Sequence, residues 1–195
     1  MGKNLVVCCD GTWNDPDELR GDVAEPTNVA KLALALAQNV DPSADGQAQH
    51  VHYVPGVGIS ENIRDGYRFL IENYSPGDLV FLFGFSRGAY TARSLGGLIH
   101  NCGILRQDCI DQLDTAYAFY RDRTNKTHPR TIAAQIFRRD YSHEDSKVYF
   151  IGVWDTVGAL GIPQGLPGWE QLSKDLPQWQ QLWGFHDTQL SPDVR

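Results

Sequence analysis

The chain has 195 residues, 42% of them apolar and 21% charged, with a formal net charge of −7. This suits one folded domain over residues 1–195 with a sizeable core, and it excludes a disordered or low-complexity chain. An acidic balance without a lysine- or arginine-rich stripe argues against nucleic acid as a partner, because phosphate binding draws on clustered cations.

The start MGKNLVVCC has too short an apolar stretch for a secretory signal, and Val6 stands where a myristoylation signal has Ser or Thr. No apolar run reaches the 18 residues expected of a membrane span. The default location is the cytoplasm, with export by a machine that reads no N-terminal address left open. Cys8, Cys9, Cys102 and Cys109 lack metal-ligand spacing and do not form a dense disulfide framework. They read as small buried hydrophobes of a reducing compartment, with Cys8 and Cys9 on opposite faces of a strand.

In chain order, Asn4 to Cys9 is a β-rich run that breaks at DGT and predicts a buried strand. Thr27 then stands as N-cap to a helix with Val29, Leu32 and Leu36 at helical spacing. HVHYV predicts a second strand ended by PGVG. Behind a Ser60 cap, Ile63, Tyr67, Leu70, Ile71 and Tyr74 form one helical stripe. SPGD is a turn, and LVFLF is apolar throughout, as a central parallel strand covered on both faces would be. Helices are predicted from about Arg87 to His100 and around Ile110 to Tyr120, then a fourth strand from Lys147 to Val153. This alternation favours an α/β fold, a mostly parallel sheet with helices on both faces. From Leu160 the chain turns rich in Pro, Gly and Trp, so residues 160–195 read as a lid, a partner surface or a packed excursion.

The stretch GFSRGAYTAR comes directly after the LVFLF strand and opens a helix. A serine on a tight strand-to-helix turn needs small flanks, which Gly84 and Gly88 supply around Ser86. The helix start aims amides and a positive dipole end at any anion formed beside the serine, so the Arg87 N–H is one expected oxyanion donor. A competing reading leaves Ser86 as a mere helix cap. The DGTWND turn at the end of the first strand offers the second donor, Gly11 or Thr12, with Asp10 tying the loop down by accepting backbone hydrogen bonds. A serine hydroxyl needs a base, and the base an orienting acid. Asp155, in GVWDTVGALG just past a strand, is the expected triad acid; its competing role is to cap the loop or helix after that strand.

Taken together and in this order, CDGTWND, YVPGVG, GFSRGAYTAR and GVWDTVGALG resemble the α/β-hydrolase domain of the type VI secretion phospholipase effectors, shared by many bacterial and fungal relatives. The resemblance implies a three-layer α/β-hydrolase-like sandwich. It also implies a serine hydrolase of carboxylic esters, lipase- or phospholipase-like, with Ser86 as nucleophile and Asp155 as triad acid. The implied partners are an ester or phospholipid substrate, a membrane surface touched peripherally, and a secretion-machinery or immunity protein. In relatives, a later His-Ala-Leu-Ala-x-Asp-Glu segment supplies the triad histidine. The expectation is therefore a chain whose C-terminal part, with that base, lies beyond Arg195.

Among the six histidines only His186 comes after Asp155 as the triad order demands, so it is the candidate within this chain. His100 lies about fourteen residues, roughly 20 Å, down the helix from Ser86. His50 and His52 fall in the second strand, His50 at its entry, and His128 and His143 flank polar loops. The scheme needs no metal or cofactor. A haloacid-dehalogenase-type phosphatase would need an aspartate where Cys8 stands, and no P-loop pattern occurs. The remaining alternative is a catalytically degenerate, hydrolase-like binding or scaffold module.

Overall fold

The apolar runs become strands and the helical stripes become helices in the computed structural model, which describes residues 2–12, 19–20, 23–38, 48–56, 58–122, 124–143 and 145–154. Four strands, β1 (Asn4–Thr12), β4 (Gln49–Gly56), β5 (Leu79–Phe85) and β6 (Val148–Trp154), pair in parallel in the order β4-β1-β5-β6. A two-residue antiparallel pair, β2 (Leu19–Arg20) and β3 (Val23–Ala24), sits between β1 and the first helix in the chain. The helices are α1 (Asn28–Gln38), α2 (Ile59–Asn73), α3 (Arg87–Cys102), α4 (Leu113–Arg121) and α5 (Ile132–Tyr141).

Chain direction explains the layers. From β1 the chain steps through α1 to β4 on one side, then returns through α2 past β1 to β5 and through α3 to β6. Right-handed crossovers put α1 on one face and both α2 and α3 on the other. The packing agrees. Val29 and Ala33 of α1 meet Val6 and Cys8 of β1 on the first face. On the second, Tyr67, Leu70 and Ile71 of α2 and Leu95 and Leu98 of α3 meet Leu5, Val7, Cys9, Val80 and Leu82. The reversal of winding falls between β1 and β5, whose C-terminal ends define the switch-point crevice of an open parallel sheet.

The α2 stripe is as predicted, with Ile63, Tyr67, Leu70, Ile71 and Tyr74 all buried. Tyr67 is fully enclosed, and its hydroxyl donates to the Gly103 carbonyl at 2.7 Å, so its polar end is satisfied. Thr27 caps α1 by accepting from the Ala30 amide at 3.0 Å. Cys8 and Cys9 do face opposite sides of β1, and burial, with Asp10 nearby, pushes the Cys8 thiol up to about 12.

Four expectations change. β1 runs on through the DGT stretch, because Thr12 still pairs with Gly56 after an irregularity. Ser60 is not a cap: α2 starts two residues earlier than that cap would place it, with Gly58 at the N-cap and no side-chain capping bond. β5 is sealed on one face, where Val80, Leu82 and Gly84 are buried, while Phe81, Phe83 and Phe85 are half-buried on the other. The helix α5 adds an element that the sequence pattern does not predict; Thr131 caps it by accepting from the Ala134 amide, and Ala134 and Phe137 bury its narrow apolar side.

At the N-terminal edge of the sheet, β1 and β5 are clamped by one buried carboxylate. Asp78 accepts from the Lys3 amide at 2.8 Å, the Lys3 ammonium at 2.6 Å and the Ser75 amide at 2.8 Å. Burial alone would raise this carboxyl, but these hydrogen bonds and the Lys3 charge outweigh it and hold it below the usual carboxylate value. A lowered folded value means the stabilisation is present above the unfolded value of about 4 and is lost as pH falls through the folded one. In urea titrations, Asp78→Asn is expected to cost about 1–3 kcal/mol at neutral pH. The gap between variant and wild type should narrow as the pH drops below about 4.

Candidate active site

β5 ends at Phe85 and α3 begins at Arg87, so the whole reversal of direction falls on Ser86. Its backbone takes φ 53° and ψ −119°, a region that an L-residue enters at a cost of about 1–3 kcal/mol. Ser86 is partly exposed, and its side chain makes no capping hydrogen bond to α3. The reading of Ser86 as a plain helix cap therefore lacks the contact it requires. The Ser86 amide donates to the Trp154 carbonyl at 3.0 Å, which ties the bend to the end of β6.

The two glycines hold the bend by having no side chain. A Cβ on Gly84 would stand 2.3 Å from the Gly88 carbonyl oxygen and 2.5 Å from the Ala89 Cα. A Cβ on Gly88 would stand 2.1 Å from the Cys9 carbonyl oxygen and 2.6 Å from that of Asp10. All of these atoms are backbone and have nowhere to move. The first turn of α3 is thereby pressed onto the end of β1, and Ser86 lies beside the switch-point crevice. The amides of Arg87 and Gly88 belong to the first turn of α3, where no helical carbonyl is available to accept them.

Across the crevice, Asp10 is 1% exposed and works as a hub. One oxygen accepts from the Gly11 amide at 2.7 Å, and the other accepts from the Thr27 and Tyr53 hydroxyls at 2.6 Å each. Three donors, together with the nearby N-terminal end of α1, compensate the buried charge. Among the described residues, the expected tie through backbone hydrogen bonds is one amide and two side-chain hydroxyls. Of the two amides expected to face an oxyanion, that of Gly11 already donates to Asp10. The sequence marks Thr27 and Tyr53 only as a cap and a strand residue, since their joint contact with Asp10 depends on how α1 and β4 dock.

Asp155, the residue after Trp154, lies outside the described residues, as do His186 and the whole of residues 160–195. The described histidines stand away from Ser86. His50 and His52 pair with Leu5 and Val7, the level of Val80 and Leu82 in β5, well below the crevice and two strands across. His52 is engaged there by Asp65 at 2.8 Å and stacks on Phe69. His100 ends α3, where burial first and then the charges of Arg138, His128 and Arg130 lower its pKa. His143 packs edge-on against Tyr74, close to the opposite edge of the sheet. Among the described residues no cluster of three or more His, Cys, Asp or Glu could hold a metal ion.

The sequence matches the family described as "T6SS, Phospholipase effector Tle1-like, catalytic domain" over residues 3–61 and 56–195. The chain belongs to this family. It is also 27% identical over 199 residues to the uncharacterized protein YEL023C of Saccharomyces cerevisiae, covering 83% of this chain. The match takes in 27% of that relative's length, so the chain spans about a quarter of it. No solved structure matches the chain.

The elbow geometry is open to a direct check. Gly88→Ala forces a methyl into the Cys9 and Asp10 carbonyls and is expected to cost about 3 kcal/mol or more, at the upper end of overpacking penalties. A His52→Ala change, which removes the partly exposed Asp65 pair and the Phe69 stack, is expected to cost less, about 1–2 kcal/mol. Urea unfolding of both variants provides the comparison.

Proposed function

We propose that the chain is the catalytic domain of a serine hydrolase that cleaves carboxylic esters of phospholipid-like substrates. The observation that carries this reading is the Ser86 backbone at φ 53° and ψ −119°, between two glycines whose missing side chains make room for the bend. A structural turn has no use for such strain at a serine whose side chain caps nothing. A nucleophile that must stand clear of the sheet edge does. Membership of a phospholipase effector family supports the choice of ester substrate.

In the proposed mechanism, Ser86 Oγ attacks the ester carbonyl carbon while a histidine takes the hydroxyl proton. That histidine is His186 or one C-terminal to Arg195, and Asp155 orients it. The carbonyl oxygen becomes an oxyanion, met by the Arg87 amide at the start of α3 and by an amide from the end of β1. Collapse of the tetrahedral intermediate expels the alcohol portion, which receives the proton from the histidine. Water, deprotonated by the same histidine, then attacks the acyl-enzyme, releases the fatty acid and restores Ser86. Trp154 holds the Ser86 amide, so the strand that leads into Asp155 is joined to the nucleophile by a hydrogen bond.

In the purified full-length protein, Ser86 is expected to take a fluorophosphonate label, and Ser86→Ala to lose both label and hydrolysis of short acyl esters. Asp155→Asn should retain the fold while kcat falls by about 10³–10⁴. An unlabelled Ser86 together with no ester or phospholipid hydrolysis would overturn the enzyme reading and favour a binding module.

A further inference from the structure

The end of β1 carries an irregularity in its pairing with β4, between Cys9 and Thr12. The Asn4 amide donates to the Ala48 carbonyl on the β4 side, and the Lys3 carbonyl accepts the Leu79 amide on the β5 side. Within the regular part of β1, even-numbered residues therefore turn their backbone N–H and C=O toward β4, and odd-numbered residues toward β5. Cys9 stands opposite Val54, but the next pair along the ladder is Thr12 opposite Gly56. Three steps along β1 match two along β4, which is the signature of an inserted residue at Asp10–Gly11. Beyond it the alternation is inverted. Thr12 stands to Gly56 as Cys9 does to Val54, so its amide turns toward β5, the side on which Ser86 ends the neighbouring strand.

The Asp10 carboxylate binds the second residue of this irregularity, Gly11. Its Oδ1 takes the Gly11 amide at 2.7 Å, and its Oδ2 takes Thr27 Oγ1 and Tyr53 Oη. Thr27 is the N-cap of α1 and Tyr53 belongs to β4, so the bulge is anchored to both elements that flank β1 on that side. On the far side of β4, the Pro55 carbonyl accepts from the Asn62 side chain of α2 at 2.9 Å.

We propose that Asp10 is a positioning residue for the reaction: with Thr27 and Tyr53 it latches the bulge that diverts the Gly11 amide and presents the Thr12 amide as the second oxyanion donor. The inference rests on the hydrolase reading of Ser86. It goes further by choosing between the two amides and by naming the side chains that enforce the choice. Asp10 itself never touches the substrate. Its buried carboxylate acts through the backbone of the next two residues, and an amide fixed before the reaction loses no energy to reorientation when charge develops.

The test uses the full-length protein, a short acyl p-nitrophenyl ester and an aryl trifluoromethyl ketone as a tetrahedral analogue. Asp10→Asn is expected to lower kcat about 100-fold and Tyr53→Phe about 10-fold, with KM within about two-fold of wild type. Ketone affinity should weaken in the same ratio as kcat/KM. Thr27→Ser should keep activity and Thr27→Val should lose it. Independently of activity, the Gly11 amide proton should resonate far downfield in wild type and move back in Asp10→Asn. Unchanged kcat and ketone affinity in both Asp10→Asn and Tyr53→Phe would overturn the latch, as would an ordinary Gly11 resonance. An unlabelled Ser86 beside a downfield Gly11 amide would instead remove the hydrolase reading and leave the latch as structure alone.

Discussion

The backbone of α3 touches the backbone of β1 at Gly88, and nearly every feature of the crevice depends on that approach. With no Cβ there, the carbonyls of Cys9 and Asp10 come within reach of the first helical turn. The turn between β5 and α3 then shrinks to a single residue, and Ser86 absorbs the full change of direction in an uncommon region of backbone space. Gly84 makes the same allowance on the other flank. Strain of this kind persists only where the surroundings over-determine it. Here they do so through the largely buried α3, whose apolar side packs on Leu82 and Val80, and through the hydrogen bond from Ser86 to Trp154.

Two buried carboxylates bracket the same pair of strands. Asp78 closes the N-terminal edge by taking both the amide and the ammonium of Lys3. Asp10 closes the C-terminal edge by taking an amide and two hydroxyls. Each charge is acceptable in the interior only because strong donors surround it. The two differ in their donors. Asp78 has a cation for a partner, which makes it a clamp sensitive to acid. Among the described residues the donors to Asp10 are neutral, one amide and two hydroxyls beside a helix N-terminus, and they tie it to the backbone around it.

The topology explains why these parts meet. A sheet that winds outward from β1 to β4 and then back past β1 to β5 leaves the ends of β1 and β5 without a crossover above them. The Ser86 bend and the irregular end of β1 at Asp10–Thr12 lie at those two ends. Residues about seventy-five positions apart in the chain are thus brought together by a register, Cys9 beside Gly84, in which every intervening pair is regular. The family to which the chain belongs is named for phospholipase effectors.

Much of this was legible in the residue order. Hydrophobic periodicity alone marks the strands at Val6, Val51, Leu82 and Ile151 and the α2 stripe, because side-chain period depends directly on backbone geometry. Gly84, Ser86 and Gly88 announce the bend because their spacing matches a steric requirement local to five residues. Ser60 misled, since a good capping residue lost to a helix that starts two residues earlier. The helix α5 was hidden in polar surroundings, with only Ala134 and Phe137 turned inward. Sequence alone thus determined the fold class and the strand-to-helix turn at Ser86, both of which rest on short-range geometry. Only the tertiary structure decided that Gly11 gives its amide to Asp10, that Thr27 and Tyr53 share the same carboxylate, and that the register of β1 against β4 shifts between Cys9 and Thr12. Those facts depend on strand register and on how α1 docks, and a one-residue bulge reverses the direction of every amide beyond it without leaving a mark in composition or period.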